Sequence, residues 1–327
     1  MESQCLSDFK LLIRQADYDN TYKMAWAKAL VELSVNLKND SRDIVPITIR
    51  QIAPLMIKYY WNQTIFFDLV QGSNLRKPPV LLQYTKELIR LFYDLQESLQ
   101  PQVFEKAIIL IEDKAQATYE RYLDKAVATI KLNVAYRFTH LRGTDITSIY
   151  SYQEKANQLY LPKRNLLELA ENFQDLFDLI NYRWSLILET FNSSPRINKK
   201  VRIIDERSIK RSPLERFDEY LDVENPEHIC FACGKPILDG ELSRDHVIPW
   251  SYLFSDDLWN LVYVHKSCNS IKSNEIPSEE EVEKLKKRND RLLYLLTKAG
   301  KTGKEVDELK TAIEHHLVDQ FYIGCKG

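Results

Sequence analysis

"SRDHVIPWSYLFSDDLWNLVYVHKSCNSIKSN", from Ser243 to Asn274, decides how the late part of the chain folds. Two short apolar runs, Val247-Ile248 and Leu261-Val262-Tyr263-Val264, alternate with polar residues that packing does not require. Those residues are an Asp245-His246 pair, an isolated Asn260 and a His265-x-x-Cys268-Asn269 cluster. The pattern predicts a strand over 241–249, a second strand over 260–265, and the first turn of a helix from Cys268. Strand neighbours point to opposite faces, so Asp245 and His246 serve one site only at a strand end, where the ladder twists or breaks. Asn269 and Lys272 are three apart and share a helix face.

Working upstream, Cys230-Phe-Ala-Cys233 supplies a C-x2-C knuckle, and His265-Lys-Ser-Cys268 supplies H-x2-C. One such pair is a weak signal, whereas two matched pairs fit a closed tetrahedral zinc site. The insert between them, residues 234–264, is much longer than the roughly dozen residues of a compact ββα zinc finger. His228 is an alternative fourth ligand, and three reduced cysteines without metal are the bland alternative. The five cysteines, with Cys5 and Cys325 at the chain ends, argue against a disulfide framework.

Hydrolysing a phosphodiester needs an activated water, charge neutralisation at phosphorus and a stabilised leaving oxygen. A neutral His246 imidazole can take the water proton. A hard ion such as Mg²⁺ or Mn²⁺ seeks oxygen ligands, which Asp245 and the Asn269 amide provide. Sulfur ligands for a structural zinc ion and oxygen ligands for a catalytic ion thus separate along one stretch.

These residues resemble the HNH endonuclease family, with its ββα-metal fold, over roughly Cys230 to Pro277. The resemblance rests on the knuckle, "DHVIP", Asn260 in "WNL", and "HKSCNSIKSN". His265 stands where the family usually has cysteine, and Asn269 where it often has histidine. The resemblance implies His246 as general base, Asp245 and Asn269 as catalytic-metal ligands, Asn260 as holder of the His-bearing loop, and Lys272 near the DNA phosphate. The "IPWS" and "DDLWNL" details look like bacterial restriction and phage-defence proteins. A zinc-stabilised adaptor that has lost catalysis and an RNA-cleaving toxin are the competing readings.

The rest of the chain is less specific. At 327 residues, 44% hydrophobic and 28% charged, with only 8 glycines, it reads as a helix-rich two-domain protein. Residues 1–195 are expected to form a helical regulatory or assembly domain, with one β-hairpin at "SIYSYQEKANQLYLP". The Tyr59-Tyr60-Trp61 and Phe66-Phe67 clusters read as buried aromatics in preference to a base-stacking platform. Residues 196–222 read as a basic linker: the run from Pro195 to Phe217 holds eight Lys/Arg against three Asp/Glu. Lys199, Lys200, Lys210 and Arg211 are its candidate phosphate contacts. Residues 223–327 form the zinc-containing domain, closed by helices, one capped by Ser278 and the last carrying His315 and His316 on its surface.

The formal net charge is −2, so tight DNA binding is expected to need a homo-oligomer or a partner such as an ATPase. The densest apolar stretch, from Ile52, is interrupted by Lys58, Asn62, Gln63 and Asp68, which argues against a membrane span. "MESQCLSDFK" lacks the pattern of a secretory signal, and a cytoplasmic location is the expectation.

Overall fold

Contacts in the computed structural model, which describes residues 3–15, 18–74, 76–192, 194–202 and 213–326, divide the chain into two compact units. The first comprises 1–192 and 197–209; the second comprises 193–196 and 210–327.

The first unit begins with α1 (Gln4–Gln15), α2 (Tyr22–Asn36), β1 (Ile44–Thr48), α3 (Ile49–Phe67), α4 (Val80–Gln96) and α5 (Phe104–Ile130). A short ribbon, β2 (His140–Leu141) and β3 (Thr144–Asp145), precedes β4 (Ser151–Gln153) and β5 (Gln158–Pro162). Helices α6 (Lys163–Glu171), α7 (Phe173–Glu189) and α8 (Ile197–Val201) complete it. The expected hairpin is β4–β5, and β5 also pairs antiparallel with β1, setting Val45 opposite Leu161. Helix α3 starts at a capping box, with Thr48 accepting from the Gln51 N–H and the Gln51 side chain accepting in return. Its aromatics are interior: Tyr60 and Trp61 are fully buried, and Trp61 meets Phe92 and Phe104 edge-on. The burial reading therefore holds for Tyr59, Tyr60, Trp61 and Phe67, while Phe66 is half-buried.

The second unit contains α9 (Asp218–Glu224), β6 (Leu242–His246), α10 (Trp250–Leu253), β7 (Leu261–His265), α11 (Lys266–Lys272), α12 (Glu279–Lys298), α13 (Lys304–Glu314) and α14 (Leu317–Lys326). Strands β6 and β7 pair antiparallel, with Asp245 opposite Val262 and His246 opposite Leu261. Helix α11 follows β7 without a break, which gives the ββα frame. Ser278 caps α12 as expected: its hydroxyl accepts from the Glu281 N–H, and Glu281 accepts from the Ser278 N–H at 2.8 Å.

Two expectations change here. The stretch 196–222 is folded wherever it is described: α8 packs in the first unit, while Phe217, Tyr220 and Leu221 lie in the core of the second. Their apolar side chains, hidden among the charges of the run, decide this. The expected closing helix is broken in two, with His315 and the positive-φ His316 (φ 51°) exposed in the break.

Candidate metal centre and active site

The knuckle is a tight turn. The Gly234 N–H donates to the Cys230 carbonyl at 2.9 Å, and Gly234 sits at φ +71°, where a side chain would be strained. The turn docks on β7 through the Phe231 N–H and the Tyr263 carbonyl, 2.8 Å apart. This places Cys230 and Cys233 against His265 and Cys268, and the four ligand atoms all lie within 4.8 Å of one another. His265 Nε2 is 3.1 Å from the Pro236 carbonyl, so it carries the proton and donates. That leaves the Nδ1 lone pair toward Cys233 Sγ, 3.4 Å away, and Cys268 Sγ, 3.9 Å away.

Burial raises the Cys230 thiol, but hydrogen bonds from the Cys233 and His265 backbones and side chains outweigh it and bring it down to about 6. Burial and the neighbouring Cys230 and Cys233 push Cys268 up to about 11. Crowded sulfurs of this kind cannot all be thiolates without a cation among them, and three sulfurs with one imidazole nitrogen suit zinc. His228, the alternative ligand, is elsewhere: its Nε2 is 3.1 Å from Asp222 and its ring meets Tyr263 edge-on.

Asp245 and His246 are the last two residues of β6 and engage different elements. Lys272 of α11 donates to Asp245 Oδ2 at 2.7 Å and also to the His246 carbonyl. One α-turn earlier, Asn269 Nδ2 donates to Ser243 Oγ at 2.9 Å. Ser243 and Asp245 share one face of β6, so the i, i+3 pair on α11 lies over that face. His246, 5% exposed, instead has its Nε2 3.1 Å from Asp256 Oδ1, and Asp256 is itself only 11% exposed.

Asn260 has no solvent exposure and therefore meets no substrate. Its Oδ1 accepts from the Ile248 N–H and its Nδ2 donates to the Ile248 carbonyl, both at 2.8 Å. Its own carbonyl accepts from the Val247 N–H at 2.9 Å, and its N–H donates to the Asp257 carbonyl at 2.9 Å. Asn260 thus ties the segment after His246 to the turn bearing Asp256. Helix α12 braces this node from outside: Asn289 Nδ2 donates to the Trp259 carbonyl at 2.9 Å, and the Arg288 guanidinium donates to the Leu258 and Leu261 carbonyls. Burial lowers Arg288 to about 10, opposed by Glu224.

The basic candidates fare unevenly. Lys199 is exposed on α8. Lys200 is fully buried, with its Nζ 5.4 Å over the Phe67 ring, so it cannot present its charge to a phosphate. Lys210 and Arg211 lie outside the described residues. Lys272 is engaged within the domain, by Asp245 Oδ2 and the His246 carbonyl. Sequence reasoning missed Asp256, Arg288 and Asn289. The first is half of an acidic pair that reads as a turn, and the other two sit in an ordinary charged helix. In the sequence Arg196 is one member of the basic run, yet its Nη1 donates to the Leu253 carbonyl at 2.8 Å and to Ser255, so it pins the Asp256 turn.

No curated protein and no solved structure matches the chain. Residues 230–278 match the family model described as HNH endonuclease, a span that ends as α12 begins. The stretch bearing the zinc-type cluster, the Asp245-His246 pair, Asn260 and Asn269 is therefore an HNH endonuclease domain.

Proposed function

We propose that the chain is a DNA endonuclease that hydrolyses phosphodiester bonds with a divalent ion, Mg²⁺ or Mn²⁺, and that it serves bacterial restriction or phage defence. One observation carries the reading: Asp245, His246 and Asn269 all stand in the ββα frame that the cysteine cluster staples together. An adaptor without catalysis has no physical need of that set.

Asp245 offers carboxylate oxygen, and Asn269, oriented by its bond to Ser243, keeps its amide oxygen for an ion. Hard oxygens of this type fit Mg²⁺ or Mn²⁺. An ion bound there would neutralise charge on the scissile phosphate and the leaving oxygen. Lys272 shares the Asp245 carboxylate through Oδ2, so an ion bound there would lie beside its ammonium, and a Lys272 freed from that contact would be placed to meet the phosphate. His246 takes a proton from the attacking water. Asn260 acts at a distance, by fixing the backbone that follows His246. The cluster Cys230, Cys233, His265 and Cys268 holds structural zinc and ties the knuckle to the start of α11, and so to Asn269.

The first unit supplies targeting or assembly, and a homo-oligomer or an ATPase partner compensates for the near-neutral net charge. Lys199, Lys210 and Arg211 contribute sequence-independent phosphate contacts. No helix among the described residues is long and apolar enough to cross a membrane, and we place the protein in the cytoplasm. End analysis of an oligonucleotide duplex tests the reaction class. Water attack with loss of the 3′ oxygen gives 5′-phosphate and 3′-hydroxyl products, whereas a 2′,3′-cyclic end on an RNA strand would point to a toxin.

A further inference from the structure

We infer that Asp256 is a positioning residue for the hydrolysis: it fixes the tautomer and orientation of His246 so that Nδ1 is the atom that takes the water proton. The inference rests on the nuclease reading and names a residue which that reading does not require. It stands on the contact between His246 Nε2 and Asp256 Oδ1, 3.1 Å apart, with both side chains about nine-tenths buried.

A carboxylate can only accept a hydrogen bond, so the partner nitrogen must be the protonated one. Nε2–H therefore points at Asp256, and the lone pair is left on Nδ1. The opposite tautomer would set two lone pairs against each other in a poorly solvated pocket. In the proposed step the attacking water loses a proton to Nδ1, and its oxygen bonds phosphorus. The P–O3′ bond then breaks, with its electron pair leaving on O3′. His246 is doubly protonated at that stage, and the Nε2–H contact becomes a charge-assisted hydrogen bond. Asp256 keeps its charge throughout and takes no proton.

The surroundings hold both partners in register. Asp256 lies on the turn after α10, and Arg196 ties that turn down at Leu253 and Ser255. Ser255 donates to Asp257, and the Asp257 carbonyl accepts from the Asn260 N–H. Asn260 then grips Ile248, two residues beyond His246. One buried residue thus anchors the base and its orienting carboxylate together, an arrangement that packing alone does not demand. The same geometry gives Arg196 a role within the second unit in place of a phosphate contact.

The test uses the full-length zinc-loaded protein, with a duplex oligonucleotide as substrate and Mg²⁺ present. Asp256→Asn keeps the shape but can donate its amide N–H to Nε2, which forces the proton onto Nδ1. Its kcat should fall roughly 10²- to 10⁴-fold, the range of general-base catalysis, with KM within about threefold of wild type. Asp256→Glu should recover part of the lost kcat, because it restores a charged partner that can only accept. Nitrogen-15 spectra of the His246 ring should report Nε2–H in the wild type and Nδ1–H in Asp256→Asn. A kcat for Asp256→Asn within threefold of wild type, or an Nδ1–H ring in the wild type, overturns the inference. The ring measurement needs no turnover and no folded variant. Nε2–H in a wild type that cuts nothing would therefore count against the nuclease reading and leave the pairing in place.

Discussion

The side-chain amide of Asn260 is bonded twice to the backbone of Ile248, as acceptor from its N–H and donor to its carbonyl, each at 2.8 Å. An amide side chain that closes on one residue in this way works as a clamp, and the clamped Ile248 lies two residues beyond His246. Asn260→Ala leaves both Ile248 groups unsatisfied in a buried setting, at about 1–3 kcal/mol for each. Lower thermal stability of the second unit and a loss of kcat larger than any change in KM are the expected results. Differential scanning calorimetry with steady-state kinetics checks both; full activity in a folded Asn260→Ala protein would remove its positioning role.

Zinc should be bound at one ion per chain by Cys230, Cys233, His265 and Cys268. Elemental analysis of Cys268→Ser should find the zinc lost along with the fold of the second unit, because metal binding and folding are coupled at such sites. His228→Ala should keep its zinc, since His228 faces Asp222. Retained zinc in His265→Ala together with loss in His228→Ala would reverse the assignment.

The Lys272–Asp245 contact at 2.7 Å changes what a deletion at Asp245 should do. The sequence alone presents Asp245 as an isolated catalytic group, removable without cost to folding. In the structure, Asp245→Ala strands the Lys272 ammonium beside a mostly buried strand end, so a modest loss of stability joins the loss of activity. Asp245→Asn keeps an acceptor and should melt closer to wild type while remaining inactive. His246→Ala should keep its zinc but melt somewhat lower, because it leaves the mostly buried Asp256 without its partner; unfolding as severe as that of Cys268→Ser would mark His246 as structural.

In the first unit, Lys28 is fully buried, with Nζ 2.9 Å from Asn181 Oδ1 and 4.9 Å from the Tyr59 ring centre. Burial lowers it to about 7, with Glu32 opposing and Lys58 adding to the shift. The unfolded chain therefore binds more protons than the folded one between about pH 7 and pH 10, and stability rises with pH across that window. Lys28→Met removes the linkage. Urea unfolding at several pH values should show the wild type gaining on Lys28→Met by up to about 1.4 kcal/mol per unit. A constant difference between the two proteins would contradict the burial argument.

Lys199, Lys210 and Arg211 changed to Gln should weaken DNA binding across sequences. The log–log salt dependence should flatten by about 0.9 for each phosphate no longer neutralised. Lys200→Gln should leave that slope alone and destabilise the first unit, because its charge is buried against Phe67. An unchanged slope in the triple variant would mark the basic run as a solvated connection.

The ββα domain was legible because its chemistry is written in local spacing: two ligand pairs, an Asp-His at a strand end, and Asn269 three residues before Lys272. The hairpin at 151–162 was legible from its alternation and polar turn. What could not be read depends on contacts distant in sequence. Strand β1 joins β5 across more than a hundred residues, and Arg288 and Asn289 reach back to carbonyls near Asn260. Asp256 is invisible for a related reason, since nothing in "FSDDLWNL" says which acid faces the histidine. Composition misled at 196–222, where eight basic residues hid Phe217 and its neighbours in the core.

We propose that this domain cuts DNA through His246, with an ion on Asp245 and Asn269. Supercoiled plasmid incubated with the full-length protein and Mg²⁺ tests it most directly, beside His246→Ala and an EDTA control. Conversion to nicked or linear DNA is expected for the wild type with Mg²⁺ and for neither control. Equal cleavage by His246→Ala or in excess EDTA, or no cleavage by zinc-loaded wild type with either Mg²⁺ or Mn²⁺, would contradict it.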